Sequence, residues 1–150
     1  MCLHIKKSFV AEKHIIAYKI GINNNNCILT CFQDSLLPFN KLVTDPNFNE
    51  IRHRILLSSE NYYNVGCGYF HAFISLKRAK SAEDYLRHCF YYLYDCFLVV
   101  IPKGSVGFYG EDNDICANQM IFLNPDTPGF KEICLQYGIT DNKYRKLLSL

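Results

Sequence analysis

The chain has 150 residues, of which 49% are hydrophobic and 20% are charged, and its formal net charge at pH 7 is +2. This length suits one domain with a sizeable core, so we expect a single domain over residues 1–150. The composition excludes a wholly disordered chain, and the weak net charge gives little support to strong electrostatic binding of nucleic acid or of an anionic membrane.

Eight cysteines occur without a recognisable leader segment. Residues 1–10 lack an apolar stretch of the length a signal peptide needs, and the longest apolar run, 96–101, is only strand-sized. We therefore expect a cytoplasmic protein with no membrane span, in which the thiols stay reduced and act mostly as small buried apolar groups.

The first predicted elements form a hairpin. Four asparagines at 23–26 favour a turn, because Asn tolerates a positive φ, and the flanking runs 14–20 and 27–32 are rich enough in β-branched residues to be strands. The segment 34–50 carries two prolines and reads as irregular surface chain. For 50–60 the periodicity is ambiguous, and we favour a short helix or an extended edge.

The clearest helix covers residues 75–90. Ser75 is a good N-cap. A stripe repeats at three-to-four-residue spacing through Leu76, Ala79, Ala82 or Glu83, Leu86, and Cys89 or Phe90. Strands are predicted at 95–102, at 106–110 and at 119–124, with an acidic loop over 110–117; the first of these strands is apolar enough to be covered on both faces.

The tail over residues 125–150 is predicted to form two helices separated by Gly138, as a C-terminal helical appendage. The order of strands, a helix, further strands and two helices predicts an α+β domain. Its mostly antiparallel sheet would carry one central helix at about 75–90 and a C-terminal helical hairpin.

The segment 102-PKGS-105 resembles the start of a phosphate-binding loop, but its lysine precedes its glycine and a strand follows it. A phosphate loop needs the opposite order and a helix after it. The segment therefore predicts a turn that links two adjacent strands, with Pro102 in the second turn position and Gly104 at a positive φ.

Two further arrangements suggest chemistry. Cys27, Cys31, Cys67 and His71 form a Cys3His set of a kind that zinc accepts, although the spacing between them is wider than in most zinc knuckles. Buried free thiols are the alternative, and a cysteine hydrolase built on Cys67 and His71 would rest on sequence proximity alone.

The tail also resembles a helix-turn-helix over residues 130–148, in which Lys143, Arg145 and Lys146 would form the basic face. The last helix is short and the positive field of the chain is weak, so DNA binding is the weaker alternative for this segment.

Several motifs together resemble a set of small uncharacterised proteins of gut bacteria, their phages and mobile elements. The resemblance rests on an N-terminal Met-Cys-Leu, on 17-AYKI-20, on 68-GYFHAFISLKRAK-80 and on 99-VVIPKGSVGFYGE-111. It spans most of residues 1–123 except the middle segment 34–64, and it implies no activity.

A more distant similarity is to the ADP-ribosyltransferase-like fold, through Tyr18, the segment 68–73 and the turn after residue 98. The similarity implies a nucleotide cleft lined by His14, Tyr18 and His71. Such transferases use a glutamate in a late strand, and this chain offers only Glu111 in a loop and Glu132 in the tail.

The chain carries 11 tyrosines, several of them in pairs, and tyrosine is favourable interface material. We therefore expect a non-catalytic cytosolic binding protein without a cofactor, an accessory or anti-defence protein of a phage or mobile element that binds a protein or a protein–RNA complex. The expected contact surface is the aromatic run Tyr62, Tyr63 and Tyr69, and the second choice is Tyr91, Tyr92 and Tyr94. The expected binding residues are Tyr62, Tyr63, Tyr69, His71, Lys103 and Tyr109.

Overall fold

The computed structural model describes residues 5–30, 35–58, 68–90 and 93–150. Within these ranges the strands are β1 (Ile5–Val10), β2 (Ile15–Asn24), β3 (Cys27–Thr30), β4 (Leu36–Pro38), β5 (Leu42–Thr44), β6 (Phe70–Phe73), β7 (Asp95–Ile101), β8 (Val106–Gly110), β9 (Asp114–Ala117) and β10 (Gln119–Phe122). The helices are α1 (Glu50–Ser58), α2 (Leu76–Phe90), α3 (Phe130–Gln136) and α4 (Asp141–Leu147).

The strand pairs in these ranges are all antiparallel, which confirms the prediction of an α+β fold with a mostly antiparallel sheet. The predicted pair of tail helices is also confirmed. A single central helix understates the helical content, because α1 precedes α2. In the described part of the chain, no helix combines the length and the apolar character that crossing a membrane requires.

The sheet curls until it meets itself. Its strand order is β1-β8-β9-β6-β2-β7-β10-β5, and β9 and β10 are separated only by Asn118. The path from β9 through β6, β2 and β7 to β10 therefore returns to the same stretch of chain. Asn118 forms the corner: its amide donates to the carbonyl of Val106, and its Oδ1 accepts from the amide of Val106.

The alternation of side chains in these strands produces two apolar layers. One layer fills the inside of the curled sheet, with Ala17, Phe70, Val99, Ile115 and Phe122 among its members. The other layer covers the outer face of β2, β7 and β10, beneath α2, α3 and α4. Because both faces of β7 are covered, its continuous apolar run is explained, as the sequence predicts.

Local signals fix several element ends. Asn25 and Asn26 adopt positive φ values of 49° and 65° and form the two-residue loop between β2 and β3, which confirms the predicted hairpin. Ser75 accepts from the amide of Arg78, so its N-cap role in α2 is confirmed. Gly138 has φ +66 and ends α3, as predicted.

Other predictions for single elements are corrected. The segment 34–50 is not wholly irregular, since it contains β4 and β5, and the acidic segment 110–117 contains β9. The stripe of α2 does not reach its last turn, because Cys89 and Phe90 are both exposed. Of the two alternatives in its middle, Glu83 is the buried one, and it pairs with Lys80 and Arg87 at 3.1 and 2.9 Å.

Asn40 ties the turn after β4 to the chain between β10 and α3. Its Nδ2 donates to the carbonyl oxygens of Asn124, Thr127 and Pro128 at 2.9, 3.0 and 3.3 Å, and its Oδ1 accepts from the amide of Asn124 at 3.0 Å. Asn40 is buried at a φ of 59°. One side chain thus satisfies four backbone groups.

We expect Asn40→Gly to lower the free energy of unfolding by about 2–3 kcal/mol, because buried backbone groups lose their partner while glycine keeps the positive φ. Urea denaturation followed by circular dichroism measures the change. The matched control is Asn25→Gly, which replaces an exposed asparagine at a similar φ. Equal midpoints for the two variants would contradict the role assigned to Asn40.

Candidate functional site

His71 lies in β6 on the outer face of the sheet, directly opposite Cys116 of β9. Asp114 lies two residues before Cys116 and shares its face, because side chains two apart in a strand point the same way. The Nδ1 atom of His71 and the Oδ1 atom of Asp114 are buried, and neither finds a hydrogen-bond partner among the described residues. The buried Lys19 donates from its Nζ to the carbonyl oxygen of His71 at 2.5 Å.

Burial determines the protonation of this cluster. It lowers the pKa of His71 to about 4, with the positive charge of Lys19 acting in the same direction. Burial also raises the pKa of the Cys116 thiol to about 12, and it raises the pKa of Asp114 against the opposing effect of Arg78. His71 and Cys116 are therefore both neutral at pH 7, whereas a nucleophilic cysteine needs a thiolate.

The residues of the predicted zinc set fall in different parts of the chain. Cys27 begins β3, and His71 lies in β6 as its only residue that is not fully buried. Cys31 and Cys67 lie outside the described residues. Over the ranges that the structure covers, no three side chains of His, Cys, Asp or Glu are placed together to hold a metal ion.

Tyr69 does not present its ring to a partner. It is 2% exposed, its hydroxyl lies 2.7 Å from Nδ1 of His53, and its ring packs edge-on against Phe48 and Phe108. His53 is the buried residue of α1. Tyr69 is therefore a core residue that fastens α1 to the sheet, and this corrects its assignment to a contact surface.

Of the other tyrosines predicted at a contact surface on residues 62–63 and 91–94, the structure describes only Tyr94. Tyr62, Tyr63, Tyr91 and Tyr92 lie outside the described residues. Tyr94 is only 7% exposed and belongs to the core beneath α2, so it is not a surface anchor.

Exposed apolar side chains concentrate at two places in the described structure. The first is the outer side of α1, and the second is the end of α2 with the start of the following segment. Ile51 and Ile55 lie at the first place, and Tyr85, Phe90 and Leu93 lie at the second. Sequence reasoning missed the α1 residues because the periodicity of 50–60 is ambiguous: apolar residues lie on both sides of the helix.

The turn at 102–105 is a structural turn, as the sequence predicts, with two corrections. Ser105 donates from its amide and its hydroxyl to the carbonyl of Pro102 at 3.1 and 2.6 Å, so Pro102 takes the first turn position rather than the second. Gly104 has φ +88, as the third position of a type II turn requires. The turn does not join adjacent strands, because β9, β6 and β2 lie between β8 and β7.

This turn is bonded to the chain between β1 and β2. The amide of Ala11 donates to Ser105, the amide of Gly104 donates to Ala11, and the amide of Lys103 donates to Nδ1 of His14, all at 2.8–2.9 Å. The ring of His14 also packs edge-on against Tyr137. The side chain of Lys103 remains exposed.

A pocket of about 690 Å³ runs along the chain from Lys7 to Lys13 and is completed by Ile15 and Tyr109. The ring of Tyr109 lies 4.8 Å from that of Phe9, at an interplanar angle of 39°. Tyr109 is thus half-buried at a pocket, and it is the predicted binding residue with the clearest access to a ligand.

The residues of the predicted nucleotide cleft have separate partners. His14 is bound by the 102–105 turn, the hydroxyl of Tyr18 donates to the carbonyl of Leu147 at 2.9 Å, and His71 faces Cys116. Glu111 and Glu132 are exposed.

In the tail, Lys143, Arg145 and Lys146 are exposed on α4, a helix of seven residues. The apolar side of α4 packs against the outer face of the sheet through Tyr144 and Leu147.

Comparison with family models, curated proteins and solved structures found no significant match to this chain.

Proposed function

We propose that this chain is a small non-catalytic binding protein that works by occupying a protein partner. The observation that carries the proposal is the outer side of α1. Ile51 and Ile55 lie one helical turn apart and are 71% and 61% exposed. Large apolar side chains that a fold leaves in water at helical spacing are typical anchors for a groove on another protein.

The helix that carries these anchors is held in one orientation. His53 and Leu56 pack on the sheet with Tyr69 and Phe108, and the contact between His53 and the hydroxyl of Tyr69 is 2.7 Å. A helix that is already fixed loses little conformational entropy when a partner binds, which favours affinity.

The charges around the anchors are weak and mixed. Arg54 pairs with Glu50 at 3.4 Å, and both side chains are more than 70% exposed. Such a pair adds little binding energy but suits the polar rim of an interface. Apolar anchors inside a polar rim support a protein partner over a nucleic acid at this surface.

The chemistry of the His71 cluster argues against thiol catalysis at this place. Burial raises the pKa of the Cys116 thiol to about 12 and lowers the pKa of the His71 imidazole to about 4, so at pH 7 the thiol is not activated by this imidazole.

The accessory or anti-defence role in the cytoplasm is proposed from the resemblance of segments 68–80 and 99–111 to small proteins of phages and mobile elements. The partner would then be a host protein or a protein–RNA complex.

A pull-down with the tagged chain from lysate of its host tests the proposal. We expect a stoichiometric partner that is retained by the wild-type chain and lost by the double variant Ile51→Ser/Ile55→Ser. Both residues are exposed, so the variant should unfold within about 0.5 kcal/mol of the wild-type chain.

The matched control is Leu93→Ser, which removes an 82% exposed apolar side chain at the other surface. It should leave the partner bound. Retention by both variants, or the lack of any stoichiometric partner, would refute the proposed interface; loss in the control alone would move it to the end of α2.

A further inference from the structure

The pocket beside β1 combines cationic and aromatic side chains. Its lining includes two exposed lysines, Lys7 and Lys13, and an aromatic pair, Phe9 and Tyr109. Its volume, about 690 Å³, falls within the range of small-molecule sites. The pocket does not include α1 or the end of α2, so it is separate from the proposed protein interface.

The aromatic pair offers a surface for a flat ring. The centroids of Phe9 and Tyr109 are 4.8 Å apart, and both side chains are partly buried against the inner core, which holds them in place. Nucleic-acid bases stack on such side chains, and each stacked base contributes about 1–3 kcal/mol without requiring a particular sequence.

The turn that carries Lys13 is held by backbone bonds. Lys13 lines the pocket from the turn between β1 and β2. The amide of Ala11 and the amide of Gly104 bond this turn to the turn at 102–105. A third bond, from the amide of Lys103 to His14, joins the same two turns. The backbone that presents Lys13 to the pocket is therefore fixed.

The remaining groups complete the chemistry. β1 stands at the end of the strand order, so among the described elements one of its edges offers unpaired backbone amides and carbonyls. Glu12 also lines the pocket and would repel a phosphate placed next to it. Its carboxylate is suited to accept a hydrogen bond from a sugar hydroxyl.

We infer that the pocket beside β1 binds a nucleotide, with the base on Phe9 and Tyr109 and the phosphate near the lining lysines Lys7 and Lys13. The same chemistry is offered by a free nucleotide and by a nucleotide within a single-stranded nucleic acid. Aromatic rings alone would favour an apolar ligand, and lysines alone would favour any anion. Their combination favours a ligand that carries both a flat ring and a negative charge.

Isothermal titration calorimetry on the full chain at low salt tests the inference with three probes: ADP, an eight-residue oligothymidylate and inorganic phosphate. We expect ADP or the oligonucleotide to bind at least about 10-fold more tightly than phosphate, because phosphate lacks a ring to stack. Binding of ADP assigns a free nucleotide, and binding of the oligonucleotide alone assigns a single strand.

Variants locate the site. Tyr109→Leu should weaken binding about 10-fold, and Lys13→Ala should weaken it several-fold and reduce its dependence on salt. The matched controls are Tyr85→Leu and Lys131→Ala, which remove exposed residues of the same types elsewhere and should change nothing.

The inference is overturned if neither ADP nor the oligonucleotide binds, if phosphate binds as tightly as they do, or if Lys13→Ala and Tyr109→Leu bind like the wild-type chain. Because Lys13 is exposed, its variant tests the site even if Tyr109→Leu fails to fold. The double variant of Ile51 and Ile55 should bind the nucleotide normally, so this result and the pull-down result are independent.

Discussion

Replacement of Gly107 by alanine is expected to lower the free energy of unfolding by about 3 kcal/mol or more, since overpacking against backbone atoms leaves no side chain to move aside. Gly107 lies in β8 between Phe9 and Ala117. A Cβ atom there would come within 1.8 Å of the carbonyl oxygen of Cys116 and 2.9 Å of the Cα of Ala117. The variant must separate β8 from β9, which would also expose the buried ring of Phe108.

The matched control for this variant is Gly104→Ala in the 102–105 turn. No atom lies within 4 Å of the Cβ position there, so the cost is only the strain of a positive φ, about 1–2 kcal/mol. Urea unfolding of the two variants gives the comparison. If Gly107→Ala proves no more costly than Gly104→Ala, the close approach of β8 and β9 is not what requires glycine.

The second large effect is a loss of stability in acid that depends on His71. Its pKa in the folded chain is about 4, below the ordinary value of 6.5 that applies after unfolding. Between these two values the unfolded chain binds a proton that the folded chain does not. Stability therefore falls as the pH falls, by about 1.4 kcal/mol per pH unit and about 3 kcal/mol in total, and the effect stops below pH 4.

Unfolding of the wild-type chain and of His71→Gln between pH 7.5 and pH 4 measures this contribution. The wild-type chain should lose stability more steeply through the window, because glutamine does not titrate. His88→Gln removes an exposed histidine and should leave the wild-type slope unchanged. Parallel curves for wild type and His71→Gln would contradict the burial assigned to His71.

The predicted and observed elements agree where the signal lies within a few residues. Asn25 and Asn26 favour the positive φ of their loop, and Ser75 and Thr140 cap the helices that follow them. Gly138 allows Ile139 to donate to Cys134, which closes the end of α3. Each of these features depends on backbone preferences and near neighbours, so the amino-acid sequence contains them.

The sequence did not predict β1 or the short strands β4, β5, β6 and β9. Three or four residues carry little preference of their own. Their stability comes from neighbours in the sheet rather than from propensity. The pocket beside β1 escaped prediction for the same reason: Phe9 meets Tyr109 only because β1 pairs with β8.

The sequence by itself determined the α+β class, the antiparallel character of the sheet, the hairpin, α2 and the tail helices. Only the tertiary structure decided that Tyr69 is a core residue, that His71 faces Cys116, and that Lys19 reaches a carbonyl 52 positions away. The physical reason is register. A strand pair fixes which side chains meet, and a shift of one residue would send every one of them to the opposite face.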